Sequence, residues 1–194
     1  MKKLLALILV LSIALFAFVG CAKEQPAPAP SEEPKTEEPS AEGEVKTGLA
    51  VVTSLEKSKD ATADAEGVSQ SDSVVVAVTV DNDGKIVKAV IDTAQTKINF
   101  SNEGKVTTDL ATAPQTKQEL KEGYGMKSAS GIGKEWYEQA NAFAAYATGK
   151  SVDEIKGIAL TEGKPADADL AASVTVHVNA FIEDIEKASL SAAK

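Results

Sequence analysis

Chemistry in this chain has few places to start. Cys21 is the single thiol and His177 the single imidazole among 194 residues. One imidazole falls short of a metal site, which needs several nitrogen, sulfur or oxygen ligands. It also falls short of a Ser-His-Asp relay, because no Gly-x-Ser-x-Gly turn is present to expose a nucleophile. His177 is therefore expected to pack or to sit on a helix surface, with contact to a bound cofactor as the other reading. The paired acids Glu183 and Asp184, like Glu37 and Glu38, are expected on solvated helix and linker. Nothing sets them across a cleft as glycoside hydrolysis requires. Asp81-Asn82-Asp83-Gly84 lacks the alternating oxygen ligands and late Glu of a calcium loop and reads as a turn. Two stretches hold more. Gly131-Ile132-Gly133-Lys134 leads into a helix and offers free amides to an anion, or else is a plain tight loop. It is no nucleotide-hydrolysis loop, since Ser128 and Glu135 stand where that motif needs Gly and Ser or Thr. Asp169-Leu170-Ala171-Ala172-Ser173-Val174-Thr175 brings an acid and two hydroxyls together shortly before an apolar stripe.

The elements that must position these residues are set by period and punctuation. Leu49 to Leu55 is expected as a first strand. Ser73 to Val80 alternates in β-branched residues, Asp81 to Gly84 turns, and Ile86 to Asp92 returns beside it. Thr96 to Phe100 and Lys105 to Thr107 are expected as a second hairpin. Thr116-x-x-Glu119 has capping-box spacing and opens a short helix that Gly123 ends. A Gly- and Ser-rich loop from Gly123 to Gly133 precedes a helix over Lys134 to Thr148, whose face is Trp136, Ala140, Phe143, Ala144 and Ala147. Ser151-x-x-Glu154 starts another brief helix that stops at Gly157, and Ile158 to Leu160 suggests a closing strand. Val174, Val178, Phe181, Ile182 and Ile185 repeat at helical spacing and predict a C-terminal helix. Strands first and helices later give an α+β fold, an antiparallel sheet of hairpins packed against C-terminal helices.

Composition removes whole classes of function. The net charge is −9 and the basic residues, 20 in number, are all Lys. A nucleic-acid binder needs a basic face that displaces counterions from phosphates, so nucleic acid is excluded as a partner. A hydrophobic fraction of 43% suffices for a core. With a single Cys, disulfides and Cys-ligated clusters are excluded as well.

The N-terminus assigns Cys21 a different role. Lys2 and Lys3 precede an apolar run from Leu4 to Val19, and Phe18-Val19-Gly20-Cys21 closes it in the order of a secretory signal. This junction resembles the lipobox of bacterial lipoproteins, with Phe18 where Leu is usual. The resemblance implies a signal peptide over residues 1–20, lipid on the Cys21 thiol and a protein on the outer face of the cell membrane. The run is short for a span, which needs about 20 apolar residues. Acyl chains replace it, each buried CH₂ contributing about 0.8 kcal/mol. Residues 21–44 then form a linker in which Pro26, Pro28, Pro30, Pro34 and Pro39 alternate with Glu. Such a chain reaches on the order of 70 Å at full stretch. The folded domain is expected over residues 45–194.

The segment from Asp169 to Thr175, followed by Asn179-Ala180-Phe181-Ile182, resembles the FMN-binding domain of secreted bacterial flavoproteins and of the flavin subunits of sodium-pumping respiratory complexes. In that family an Asp-x-x-Ser/Thr-Gly-Ala-Ser/Thr motif ends in a hydroxyl joined to FMN by a phosphoester. Asp169 and Thr175 match the spacing, and the resemblance implies Thr175 as acceptor, with Asp169 and Ser173 beside the cofactor. The segment Ser73 to Ile91, with Asp83-Gly84-Lys85-Ile86, is similar to the family's opening hairpin, and Asn179 to Ala188 to its closing helix. The sequence departs from the motif at Ala172-Ser173-Val174, where Val174 brings β-branched bulk to a place of close backbone approach. Thr175 facing solvent or bonding to backbone is the alternative. Tyr124 or Trp136 is expected to stack on the flavin ring. The implied function is electron transfer with a redox partner at the cell surface; the alternative is a flavin-free module binding a ligand or partner, or a structural surface lipoprotein, on the same fold.

Overall fold

A computed structural model describes residues 43–192. The expected signal peptide, the lipidation site Cys21 and all but the last two residues of the linker lie outside the described residues.

Three antiparallel strands form the sheet: β1 (Lys46–Ser54), β2 (Gly67–Val80) and β3 (Ile86–Phe100), in the order β1-β2-β3. The alternation of β2 puts Val76, Val78 and Val80 on one buried face, and the register opposite Ile91, Ala89 and Ile86 puts buried β3 side chains beside them. Asp81 makes the turn between β2 and β3. Its Oδ1 accepts the Asp83 and Lys85 amides at 3.0 and 2.8 Å, while Gly84 takes φ +73°. That use of the carboxylate is an Asx-type turn and leaves the loop as the hairpin its sequence suggests.

The helices cover the same face. α1 (Lys117–Leu120) runs into a 3-10 turn (Lys121–Tyr124); α2 (Trp136–Ala147), α3 (Val152–Lys156), α4 (Ala168–Ala171) and α5 (Asn179–Ala192) follow. Both capping boxes form. Thr116 Oγ1 accepts the Glu119 amide at 3.2 Å and Glu119 Oε2 accepts the Thr116 amide at 2.8 Å; Ser151 and Glu154 do the same at 3.3 and 2.8 Å. Phe143, Ala140, Ala147, Ile185 and Ala188 are fully buried between α2, α5 and the sheet. α5 lies so close to β1 that a methyl group at Gly48 would sit on the Ala188 carbonyl and the Ala192 amide. The architecture is α+β, as the order of strands and helices predicts.

The structure departs from expectation in several places. β2 begins at Gly67, six residues early, so a polar stretch joins the ladder opposite Thr96 to Phe100 as a continuation of β3. The expected second hairpin shrinks accordingly to one bridge, Phe100 with Val106. The closing strand does not join the sheet; β4 (Leu160–Thr161) pairs only with β5 (Lys164–Pro165). The C-terminal helix starts at Asn179, and Val174 and Val178 are buried from a non-helical segment. There Thr175 and Val178 give their amides to the Gln139 side chain and the Gly163 carbonyl instead of to a helical ladder. Asp184 is not solvated: it is fully buried on α5, in step with Phe181, Ile185 and Ala188.

Candidate functional site

α1 is fastened to the sheet through Gln118. Its amide donates to Asp92 Oδ1 at 3.1 Å, and its Nε2 donates to the Ile91 carbonyl and to Asn141 Oδ1, both at 2.9 Å. This fixes the neighbouring Lys117 over the sheet edge, where the residue is only 9% exposed. Its ammonium lies 4.7 Å from the Tyr124 ring centroid and 5.1 Å from that of Trp136. Trp136 in turn meets Phe181 edge-on, centroids 5.9 Å apart at 82°. Edge contacts and cation–ring contacts of this kind have preferred geometries, and here they join the rings and the ammonium into one wall.

That wall borders a cavity of about 560 Å³. Val52 and Val74 of the sheet, Met126 of the Gly-rich loop, and Val176 and His177 of the 172–178 segment also line it, with Asp72, Thr93 and Asn179 among its polar residues. His177 is exposed there, on the segment preceding α5 and not on the helix. The size and mixed apolar and polar lining are those of a small-molecule site. A second concavity of about 460 Å³ lies between the Asp81–Gly84 turn, α3 and the end of α5. It has no aromatic wall, and its Lys156 is already paired with Glu186 at 2.6 Å.

The motif residues are elsewhere. Asp169 is exposed on α4, which Asp167 caps: Asp167 Oδ1 accepts the Asp169 and Leu170 amides at 3.1 and 3.0 Å. Ser173 is half-buried in the turn that follows. Thr175 points at α2, where its amide and Oγ1 both donate to Gln139 Oε1, at 2.8 and 3.2 Å. Gln139 is fully buried and its Nε2 donates to Ser130 Oγ and the Lys134 carbonyl, each at 3.1 Å. None of Asp169, Ser173 and Thr175 lines the cavity, whereas Val176 and His177 do.

In the Gly-rich loop the Gly133 amide donates to the Ser130 carbonyl at 3.0 Å and the Lys134 amide to Ser130 Oγ at 3.4 Å. Glu135 is buried and its carboxylate accepts the Met126 and Lys127 amides at 2.8 and 3.0 Å. Glu138 accepts the Glu135 amide at 2.8 Å, so the start of α2 is already provided with negative charge. Of the two readings of Gly131–Lys134, the tight loop is the one this geometry matches. Tyr124 and Trp136, the expected stacking residues, do border the cavity. Lys117 escapes a reading of the sequence because a Lys is ordinarily solvated; its place at the first position after the Thr116 cap is the one available sign. Among the described residues no group of three His, Cys, Asp or Glu side chains gathers to hold a metal. No helix among them is long and apolar enough to cross a membrane.

No protein-family model matches the chain, and no solved structure does. A chlorophenol reductase from Desulfitobacterium hafniense is 45% identical over 42 residues, which is 22% of this chain and 13% of that protein. A match covering so little of either chain marks a shared segment and does not establish a family.

Proposed function

We propose that the protein is a lipid-anchored, extracytoplasmic carrier of electrons, tethered through Cys21, whose domain holds FMN in the cavity beside the 172–178 segment. The aromatic cavity carries this reading: Trp136, Tyr124 and Phe181 offer ring faces and edges, and Lys117 offers positive charge, within about 560 Å³. A flavin supplies one- and two-electron transfer when bound. The chain's own part would be to sandwich the ring, exclude water with Val52, Val74 and Met126, and place a cation at the ring's edge.

The residues suit a non-covalent flavin better than a phosphoester at Thr175. Its hydroxyl is committed to Gln139, and attachment would first have to release it. That same contact favours the second reading, a flavin-free ligand-binding lipoprotein on this fold. Purification from cells that also make a flavin transferase separates the readings. Flavin absorbance that is lost on acid precipitation supports a non-covalent flavoprotein. Colour that stays with the polypeptide, and disappears in Thr175→Ala, would establish attachment. A colourless protein overturns the flavin reading. Cys21→Ala should abolish lipid labelling, and unchanged labelling would contradict the anchor.

A further inference from the structure

We propose that the cavity at Lys117 is a binding site for a small aromatic anion, a fused or single ring bearing a carboxylate or an ionised hydroxyl. Lys117 is more than nine-tenths buried, yet among the described residues no carboxylate pairs with its ammonium. Its near neighbours are the Tyr124 and Trp136 rings, at 4.7 and 5.1 Å. Ring faces attract a cation but carry no countercharge, so the ammonium, whose stem is buried while its nitrogen still opens on the cavity, remains available to an anion.

The charged groups around the cavity do not supply one. Asp72 is spoken for: Lys57 pairs with it at 2.8 Å, and Gln70 donates to both of its oxygens at 2.9 Å. Glu56 is exposed, on the turn after β1. His177 adds an imidazole at the rim. Of the uncharged lining, Val52, Val74, Met126, Val176, Ala180 and Phe181 are apolar, while Ser54, Thr93 and Asn179 bring neutral polar groups and no countercharge. A site with largely apolar walls, aromatic edges and one unpaired ammonium opening into it is complementary to a ligand that is flat, apolar on its faces and negative at one edge. FMN and an aromatic anion would compete for this one cavity, so the charge preference is tested on the flavin-free chain, where either occupant can fail alone.

The test uses the full chain in detergent, free of flavin, with 2-naphthoate and its uncharged isostere 2-naphthamide as probes. Trp136 is the single Trp of the chain, so its emission reports occupancy of the cavity it borders. Naphthoate is expected to quench it saturably and to bind about tenfold or more tightly than naphthamide, the worth of one charge-assisted hydrogen bond. Lys117→Met, which keeps the aliphatic stem, should erase that preference and leave the weak naphthamide binding in place; Lys117→Arg should keep it. Equal affinities in the native chain, no saturable response to either probe, or a preference that survives Lys117→Met would each overturn the proposal.

Discussion

Gln139 and Asp184 are both fully buried polar side chains, one on α2 and one on α5, and their surroundings could hardly differ more. Gln139 uses both of its amide hydrogens and accepts two bonds, tying α2 to the Gly-rich loop and to Thr175. Neither oxygen of Asp184 has a well-aligned partner among the described residues. A satisfied buried polar group specifies a geometry, whereas an orphan one taxes the fold. The junction carrying the Thr175 motif is thus locked, and the junction of α5 with the sheet is held by close packing at Gly48 against a polar penalty. The cavity lies between the two, lined by Trp136 of α2 and Phe181 of α5.

Removing the lock should have the largest effect. Gln139→Leu strands the Thr175 amide, and a cost on the order of 3 kcal/mol is expected as a lower urea midpoint at unchanged slope. A loss of a few tenths would mean that the four bonds hold nothing in place. Gly48→Ala tests the packing side. Its methyl would force α5 off β1, costing about 1–3 kcal/mol in the same measurement; a neutral outcome would show that the α5 seat is loose.

Asp184 sharpens the contrast through pH. Burial pushes its carboxyl from 3.8 up to about 6, with the Val52 backbone and Lys187 opposing this only in part. The folded state therefore binds this proton more tightly than the unfolded chain does. Native stability should fall as pH rises from about 4 to about 6, by on the order of 1–2 kcal/mol after allowance for solvent screening. Asp184→Asn should be more stable than the native chain at pH 7 by about that amount, and no better below pH 4. An advantage that ignores pH would contradict the orphan carboxylate. The smallest change is Thr175→Val, which loses the hydroxyl bond to Gln139 but keeps the amide bond. About 1 kcal/mol is expected from thermal denaturation, and a cost rivalling that of Gln139→Leu would place the lock in the hydroxyl.

Much of this framework is legible in the sequence because local chemistry and tertiary packing agree there. The β-branched alternation of Ser73 to Val80, the Asp81–Gly84 turn and the two capping boxes each state their structure within a few residues. Legibility fails where a long-range partner decides the outcome. Val174 and Val178 have helical spacing and are buried, but Gln139 and Gly163 claim the amides of Thr175 and Val178, so the helix waits until Asn179. The polar run Gly67 to Asp72 has no apolar period, and only its pairing with β3 makes it a strand. Lys117 and Asp184 are hidden for the same reason: a charge reads as solvent until the fold encloses it. Trp136 and Tyr124 stand out as ring partners by their type alone, and both border the cavity.

Whether that cavity takes a flavin decides the proposed function. FMN titrated into the flavin-free full chain, followed by flavin fluorescence together with Trp136 emission, measures it directly. Mutual, saturable quenching at one FMN per chain is expected, weakened in Trp136→Leu. Flavin and protein emission that stay unchanged across the titration, with FMN passing freely through equilibrium dialysis, would contradict it.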